Sequence, residues 1–245
     1  MKSVNQRLYP ELQAGGFARD DHRVTFFARV NALLPENATV LEFGAGRGKF
    51  AEVETGWKRA LTHFKGKAAH VIGVDPDPIV MQNPDLDEAH SFVSGEPLPV
   101  ADASIDIITS WAVFEHVEQA EFYAREMERV LKPGGWITAW TPNKWGYVGI
   151  GARLIPNAWH VRLLKVLSPG RAEMDTFPTF YRLNTRGALK ALFPSSRFQH
   201  CTYVFNGPPG YTANSILIAQ IWRTFDWIMP SSFGQALHIF IQKQP

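Results

Sequence analysis

The chain has 245 residues, 25 Lys+Arg against 23 Asp+Glu for a formal net charge of +2, and is 45% apolar and 20% charged. That length suits one large domain or two small ones, and the near-balanced charge excludes a dedicated polyanion binder, which needs a basic excess. The single cysteine, Cys201, excludes an intramolecular disulfide and any multi-cysteine zinc site, and MKSVNQRLYPELQ lacks the apolar run of a signal peptide, so the cytoplasm is the expected compartment.

In chain order, residues 20–34 (DDHRVTFFARVNALL) space Val24, Phe27, Val30, Leu33 and Leu34 as one helix face behind an Asp cap. Residues 39–43 (TVLEF) predict a buried strand, and 44–48 a glycine-rich turn opening into a helix. Residues 70–74 and 105–111 predict two more strands, and 118–131 a helix. K-P-G-G at 132–135 predicts a turn before a strand at 136–140. Beyond 141 the rhythm changes to Pro, Asn, Trp and His, with helix-like pieces at 148–154 and 160–167. Helices at 185–193 and 214–229 and strands at 202–205 and 236–241 complete the reading.

Alternating strands and amphipathic helices predict a doubly wound, mostly parallel seven-stranded Rossmann-like sheet with helices on both faces. No repeat or linker divides it, so 1–245 is expected to be one domain. Residues 20–143 form a cofactor-binding core, 144–185 a substrate cap inserted after the fifth strand, and 186–245 the closing elements.

V-L-E-F-G-A-G-R-G-K-F at 40–50 carries the most chemistry. A strand ends in Glu42, and Gly44, Gly46 and Gly48 then alternate, removing Cβ atoms so that a ligand can lie against the backbone. The next strand ends in Asp75, whose carboxylate can accept two hydrogen bonds from vicinal ribose hydroxyls. The G-x-G-x-G spacing behind an acid disfavours a dinucleotide pyrophosphate, which prefers G-x-G-x-x-G. A glycine turn holding no ligand is the plain structural alternative.

From 38 to 143 the sequence resembles class I S-adenosylmethionine-dependent methyltransferases, especially the bacterial small-molecule group with a methyltransferase-11-type core. The resemblance rests on E-F-G-A-G-R-G at 42–48, G-V-D-P at 73–76, L-P-V-A-D-A-S-I-D at 98–106, F-E-H-V at 114–117, R-V-L-K-P-G-G at 129–135 and T-P-N at 141–143, in that order. It implies S-adenosyl-L-methionine as cofactor. Gly44, Ala45, Gly46 and Gly48 would wrap its methionine part, with Glu42 near the ammonium, Asp75 on the ribose, Pro76 and Glu96 at the adenine, and Trp111 at the end of a cofactor-facing strand. S-G-E at 94–96 replaces the Gly-Asp pair of many relatives.

Methyl transfer to oxygen or nitrogen can require a base near neutral pH. His116, in the E-H pair, and His160, in the cap, are the candidates; each also has a purely structural reading. Asn143, Tyr181 and Arg182 are candidates for binding a polar, hydroxyl-rich or anionic acceptor, which points to a small molecule, saccharide or lipid-linked compound methylated at oxygen. S-W-A-V-F replaces the Asn/Asp-Pro-Pro-aromatic motif of nucleic-acid amino-methyltransferases, so no nucleic-acid partner is expected, and no clustered acids suggest a metal. The alternatives are a nicotinamide-dependent oxidoreductase on a similar sheet and a non-catalytic S-adenosylmethionine-binding partner protein.

Between 198 and 242 the only formally charged residues are Arg223 and Asp226. The helix expected at 214–229 is apolar around most of its circumference. It is either a core helix or a greasy surface for a membrane interface, a lipid-linked acceptor or a second subunit, which would make the protein membrane-peripheral or a homodimer.

Overall fold

The computed structural model describes residues 4–147, 149–150, 177–210 and 212–245. Five strands run parallel: β1 (Thr39–Phe43), β2 (His70–Asp75), β3 (Glu88–Ser91), β4 (Ile105–Trp111) and β5 (Leu131–Pro142). The last strand, β8 (Ala236–Lys243), lies antiparallel to β5 from Trp136↔Gln242 to Pro142↔Ala236. Two short strands, β6 (Phe198–His200) and β7 (Tyr203–Phe205), pair antiparallel with successive stretches of β8. The order is β3-β2-β1-β4-β5-β8-β6, with β7 also on β8.

The expected seven strands become eight because one strand is broken. At Cys201 and Thr202 the ladder lapses, and Cys201 N–H still donates to the Phe240 carbonyl at 2.8 Å. β3 gave no signal in the sequence, since E-A-H-S is four residues long with no apolar run. The K-P-G-G segment proves to be a bulge inside β5 rather than a turn before it. Leu131 pairs with Ile105, pairing resumes at Ile107↔Trp136, and Lys132 Nζ meets Asp106 Oδ2 at 2.7 Å across the gap.

Helices cover both faces. α1 (Val4–Leu8) opens the described chain, followed by α2 (His22–Leu33), α3 (Lys49–Val53) and α4 (Gly56–Thr62). α5 (Ala120–Val130), α6 (Arg186–Leu192) and α7 (Ile216–Ile228) come later. Asp21 caps α2 by accepting from the N–H groups of Arg23 and Val24, and Thr185 caps α6 through the N–H of Ala188.

Strand side chains alternate between two cores. Val40, Val71, Ile107 and Phe240 face Phe26, Phe27 and Val30 of α2. Leu41, Ile108, Ile137 and Ile239 face Tyr123, Met127 and Val130 of α5, together with Leu189 of α6. Burying each of these large side chains contributes about 1.5–3 kcal/mol, which holds the carboxyl ends of β1, β2, β4 and β5 in fixed relative positions.

Candidate functional site

The glycine loop leaves β1 at its carboxyl end, where a parallel α/β sheet presents its crevice. The three glycines have different roles. A Cβ on Gly44 would stand 2.4 Å from Val113, and one on Gly48 would stand 2.5 Å from the Asn83 amide oxygen. At Gly46 the nearest group is the Asp75 carboxylate, 3.9 Å away. Gly44 and Gly48 therefore let protein pack against protein, and Gly46 alone keeps an open side. All three have positive φ, of 76°, 49° and 79° in order.

Asp75 is oriented by the backbone. Gly46 N–H donates to its Oδ2 at 2.9 Å and Asp77 N–H to its Oδ1 at 2.8 Å. Burial pushes its carboxyl up, against the pull of these two hydrogen bonds. Asn83 supports the loop from below, its amide nitrogen donating to the carbonyls of Ala45 and Gly46 at 3.1 and 3.2 Å. Asn83 lies far from the loop in sequence, so no local motif points to it.

Glu42 lies in β1 beside Gly73 of β2 and Thr109 of β4. Burial pushes its carboxyl up to about 8, with Asp85 adding to the rise and Arg59 opposing it. Arg59 and Asp85 form an ion pair with each other. Pro76 and Glu96 line one open groove of about 560 Å³, together with Ser91, Phe92, Ser94 and Pro97. Between Ser94 and Glu96, Gly95 N–H donates to the Tyr123 hydroxyl at 2.9 Å and anchors this stretch.

Trp111 ends β4 with its ring in the aromatic cluster. It stacks on Trp140 at 4.6 Å between centroids and on Phe27 at 5.4 Å, with Phe50 against its edge. The next residue, Ala112, has φ of 58°, and this sharp turn sets Val113 against Gly44.

The following turn carries Glu115 and His116. His116 Nδ1 lies 2.7 Å from the Pro178 carbonyl, a contact that needs a proton on Nδ1 and leaves Nε2 as the acceptor. Nε2 is 3.9 Å from Glu115 Oε1. Glu115 is buried. Its Oε2 accepts from the Thr141 hydroxyl at 2.8 Å, and its backbone carbonyl accepts from the N–H groups of Phe180 and Tyr181. Tyr181 is buried at φ 53°, a conformation that costs a bulky residue about 1–3 kcal/mol and that the Glu115 carbonyl helps to hold. Arg182 is exposed.

Asn143, a candidate acceptor ligand in the sequence, is buried as a clasp. Its amide nitrogen donates to the carbonyls of Ser232 and Gly234, both at 2.8 Å, and its oxygen accepts from Trp145 N–H. That leaves its side chain committed to backbone, because it joins the end of β5 to the approach to β8. His160 lies outside the described residues. Among the described residues no group of three or more His, Cys, Asp or Glu is placed to hold a metal.

Residues 17–204 match the family described as a methyltransferase domain. The chain belongs to the methyltransferase-domain family. An uncharacterized methyltransferase of Mycolicibacterium gilvum (strain PYR-GCK) is 41% identical over 104 residues, covering 40% of this chain and 37% of the relative. An uncharacterized methyltransferase of Mycobacteroides abscessus is 35% identical over 136 residues, covering 51% of this chain and 49% of the relative. The chain thus spans less than half the length of these curated relatives. An S-adenosylmethionine-dependent methyltransferase from Aquifex aeolicus superposes with a TM-score of 0.50 at 12% identity, over 98% of this chain and 96% of that one. Geranyl diphosphate C-methyltransferase from Streptomyces coelicolor, solved with Mg2+, geranyl diphosphate and S-adenosyl-L-homocysteine, gives a TM-score of 0.52 at 13% identity, over 91% and 77%. At that identity the methyltransferases share a fold with this chain.

Proposed function

We propose that this chain is an S-adenosylmethionine-dependent methyltransferase that methylates an oxygen of a small-molecule, saccharide or lipid-linked acceptor. The observation that carries the reading is the pair of carboxylates, Glu42 and Asp75, near the carboxyl ends of adjacent strands, with Asp75 beside the open Gly46. One acid suits an ammonium and the other a vicinal diol, so the pair fits a nucleoside that carries a free amino acid, such as S-adenosylmethionine. Ala45 lies in the same loop, and the groove beside Pro76 and Glu96 would take the base. The ring of Trp111 braces the strand end from behind.

S-adenosylmethionine, when bound, supplies an activated methyl group on a sulfonium. The protein's share is then to position the acceptor, exclude water and accept a proton. His116 Nε2 is the proton acceptor in this reading, since the Pro178 carbonyl fixes the tautomer and Glu115 offers a carboxylate to the imidazolium. Tyr181 and Arg182 stand on the segment that Glu115 holds and would contact the acceptor. A nicotinamide oxidoreductase has less support: the glycine spacing is wrong, and β8 lies antiparallel beside β5, where a dinucleotide fold continues in parallel.

Calorimetry is expected to detect S-adenosylmethionine binding that Asp75→Ala weakens at least about tenfold, the cost of a lost charged hydrogen bond. Unchanged affinity would remove the ribose assignment. Once an acceptor is in hand, His116→Ala is expected to lower kcat about 10²–10⁴-fold with cofactor affinity intact. Full turnover in that variant would exclude His116 as the base.

A further inference from the structure

Helix α7 contradicts the core-helix alternative, since of its side chains only Ala219 is buried. Leu217, Ile221 and Ile228 recur at helical spacing along its outer face and are 64%, 56% and 65% exposed. Trp227, beside them, is 85% exposed. The inner face does hold the protein: Trp222 stacks on Tyr147 at 4.2 Å, and α1 packs against the same helix.

The charges on α7 are sorted by side. Asp226, its only acid, turns inward, where Gln235 Nε2 donates to its Oδ2 at 2.5 Å and burial pushes its carboxyl up. Arg223, its only cation, is exposed and lies 5.6 Å from the Tyr9 ring. Close to the Tyr147 anchor, Lys144 lies over the ring of Trp145, which is 46% exposed. The outward surface therefore carries Leu217, Ile221, Trp227 and Ile228 with the uncharged Gln220 and Thr224 between them, and positive charge at its margins.

We propose that this face of α7 seats the protein on an anionic lipid bilayer, with Leu217, Ile221, Trp227 and Ile228 entering the headgroup boundary. A shallow interfacial helix has this make-up: aliphatic residues and Trp on the face turned to the bilayer, and cations beside them. No described helix is long and apolar enough to cross a membrane, so the contact is one of lying on the surface. A second copy of the chain suits the face less well. The four side chains expose on the order of 500 Å², against roughly 800 Å² per partner in a standard interface. Tyr147 follows the carboxyl end of β5, so the seated helix lies on the side of the sheet where the candidate site opens, and a lipid-borne acceptor would reach it without crossing bulk water.

The test is flotation of the full chain with phosphatidylcholine vesicles, with and without phosphatidylglycerol, beside the double variant Ile221→Glu/Ile228→Glu and the single variant Trp227→Ala. The wild type is expected to float with phosphatidylglycerol vesicles, at least about tenfold more weakly with phosphatidylcholine alone, and to lose flotation about tenfold or more in the double variant. Trp227→Ala, which adds no charge, should lie between the two. Retained S-adenosylmethionine binding by calorimetry shows that the variants are folded and separates this outcome from the proposed activity. The proposal falls if the wild type stays in the supernatant, binds both vesicles equally, or is matched by the variants. It falls equally if sedimentation shows a dimer that the double variant dissolves.

Discussion

Glu42 is a carboxyl placed where water cannot fully solvate its charge, and the ligand proposed for its site carries a cation. With its pKa at about 8 in the free protein, Glu42 is mostly neutral at pH 7. An ammonium beside it favours the ionised form, so ligand binding should expel a proton. Affinity for S-adenosylmethionine is therefore expected to rise with pH between about 6 and 7.5, by up to about tenfold per unit, and to level off as the ligand's own α-amino group, near 7.7–8.0, loses its charge. Calorimetry in buffers of different ionisation enthalpy measures that proton directly. Glu42→Gln should abolish both the proton release and the slope; an unaltered slope would place the titrating group elsewhere. The sequence marked Glu42 by its place before the glycines. Its raised pKa depends on Asp85 and on burial, which arise only when separate segments meet.

α2 and β8 are joined by hydrogen bonds that converge on His22 through the buried His238. Trp140 Nε1–H donates to His22 Nδ1 at 3.1 Å, which makes that nitrogen an acceptor. His238 Nε2 shares that nitrogen's single lone pair at 3.2 Å, and the Tyr203 hydroxyl donates to His238 Nδ1 at 3.1 Å while accepting from Arg29 Nε. Burial holds His22 down to about 4, with the Gln235 bond and Asp21 opposing. Burial, then His22 and Arg29, hold His238 down to about 3. Both are neutral in the fold, whereas the unfolded chain takes up protons below about 6.5. Their stabilisation is complete above pH 6.5 and declines below it by about 1.4 kcal/mol per pH unit for each histidine, until the folded-state values are reached. Glu42 acts oppositely, since its folded value lies above the unfolded one and the fold gains stability as pH falls from about 8 toward 4.5. The histidine contribution is thus best seen by difference. Between pH 7.5 and 5, urea midpoints should show His238→Phe losing about 2 kcal/mol less than the wild type. Equal losses would mean that His238 is protonated inside the fold. None of this was legible beforehand, because residues 22, 140, 203 and 238 share no local pattern.

At the scale of the molecule, a parallel half-sheet that would hold the cofactor is closed by an antiparallel edge. Asn143 fastens the two at their junction. Asn143→Ala removes the donor to the buried Gly234 carbonyl and to the more exposed Ser232 carbonyl, and is expected to cost about 1–3 kcal/mol in chemical denaturation, with S-adenosylmethionine affinity little changed. A selective rise in acceptor KM at full stability would instead restore it as an acceptor ligand. Most elements could be read from the sequence because each has a local cause: β-branched runs between turns, an Asp or Thr before a helix, a 3.6-residue apolar period. The gaps occur where tertiary context takes over. β3 is too short to signal, K-P-G-G is absorbed into β5 as a bulge, and α7, whose apolar circumference allowed either a core or a surface position, lies at the surface.

By itself the sequence determined the parallel α/β core and placed Glu42, the glycines and Asp75 at the carboxyl ends of adjacent strands. Those features depend on residue type and spacing along the chain. Only the tertiary structure decided which glycine stays open and that Asn143 is a clasp. It also decided that His116 keeps Nε2 as its acceptor, and that α7 turns its acid inward and its Leu, Ile and Trp side chains outward. Each of these depends on what a distant segment brings within a few ångströms, and a one-dimensional pattern does not carry that information.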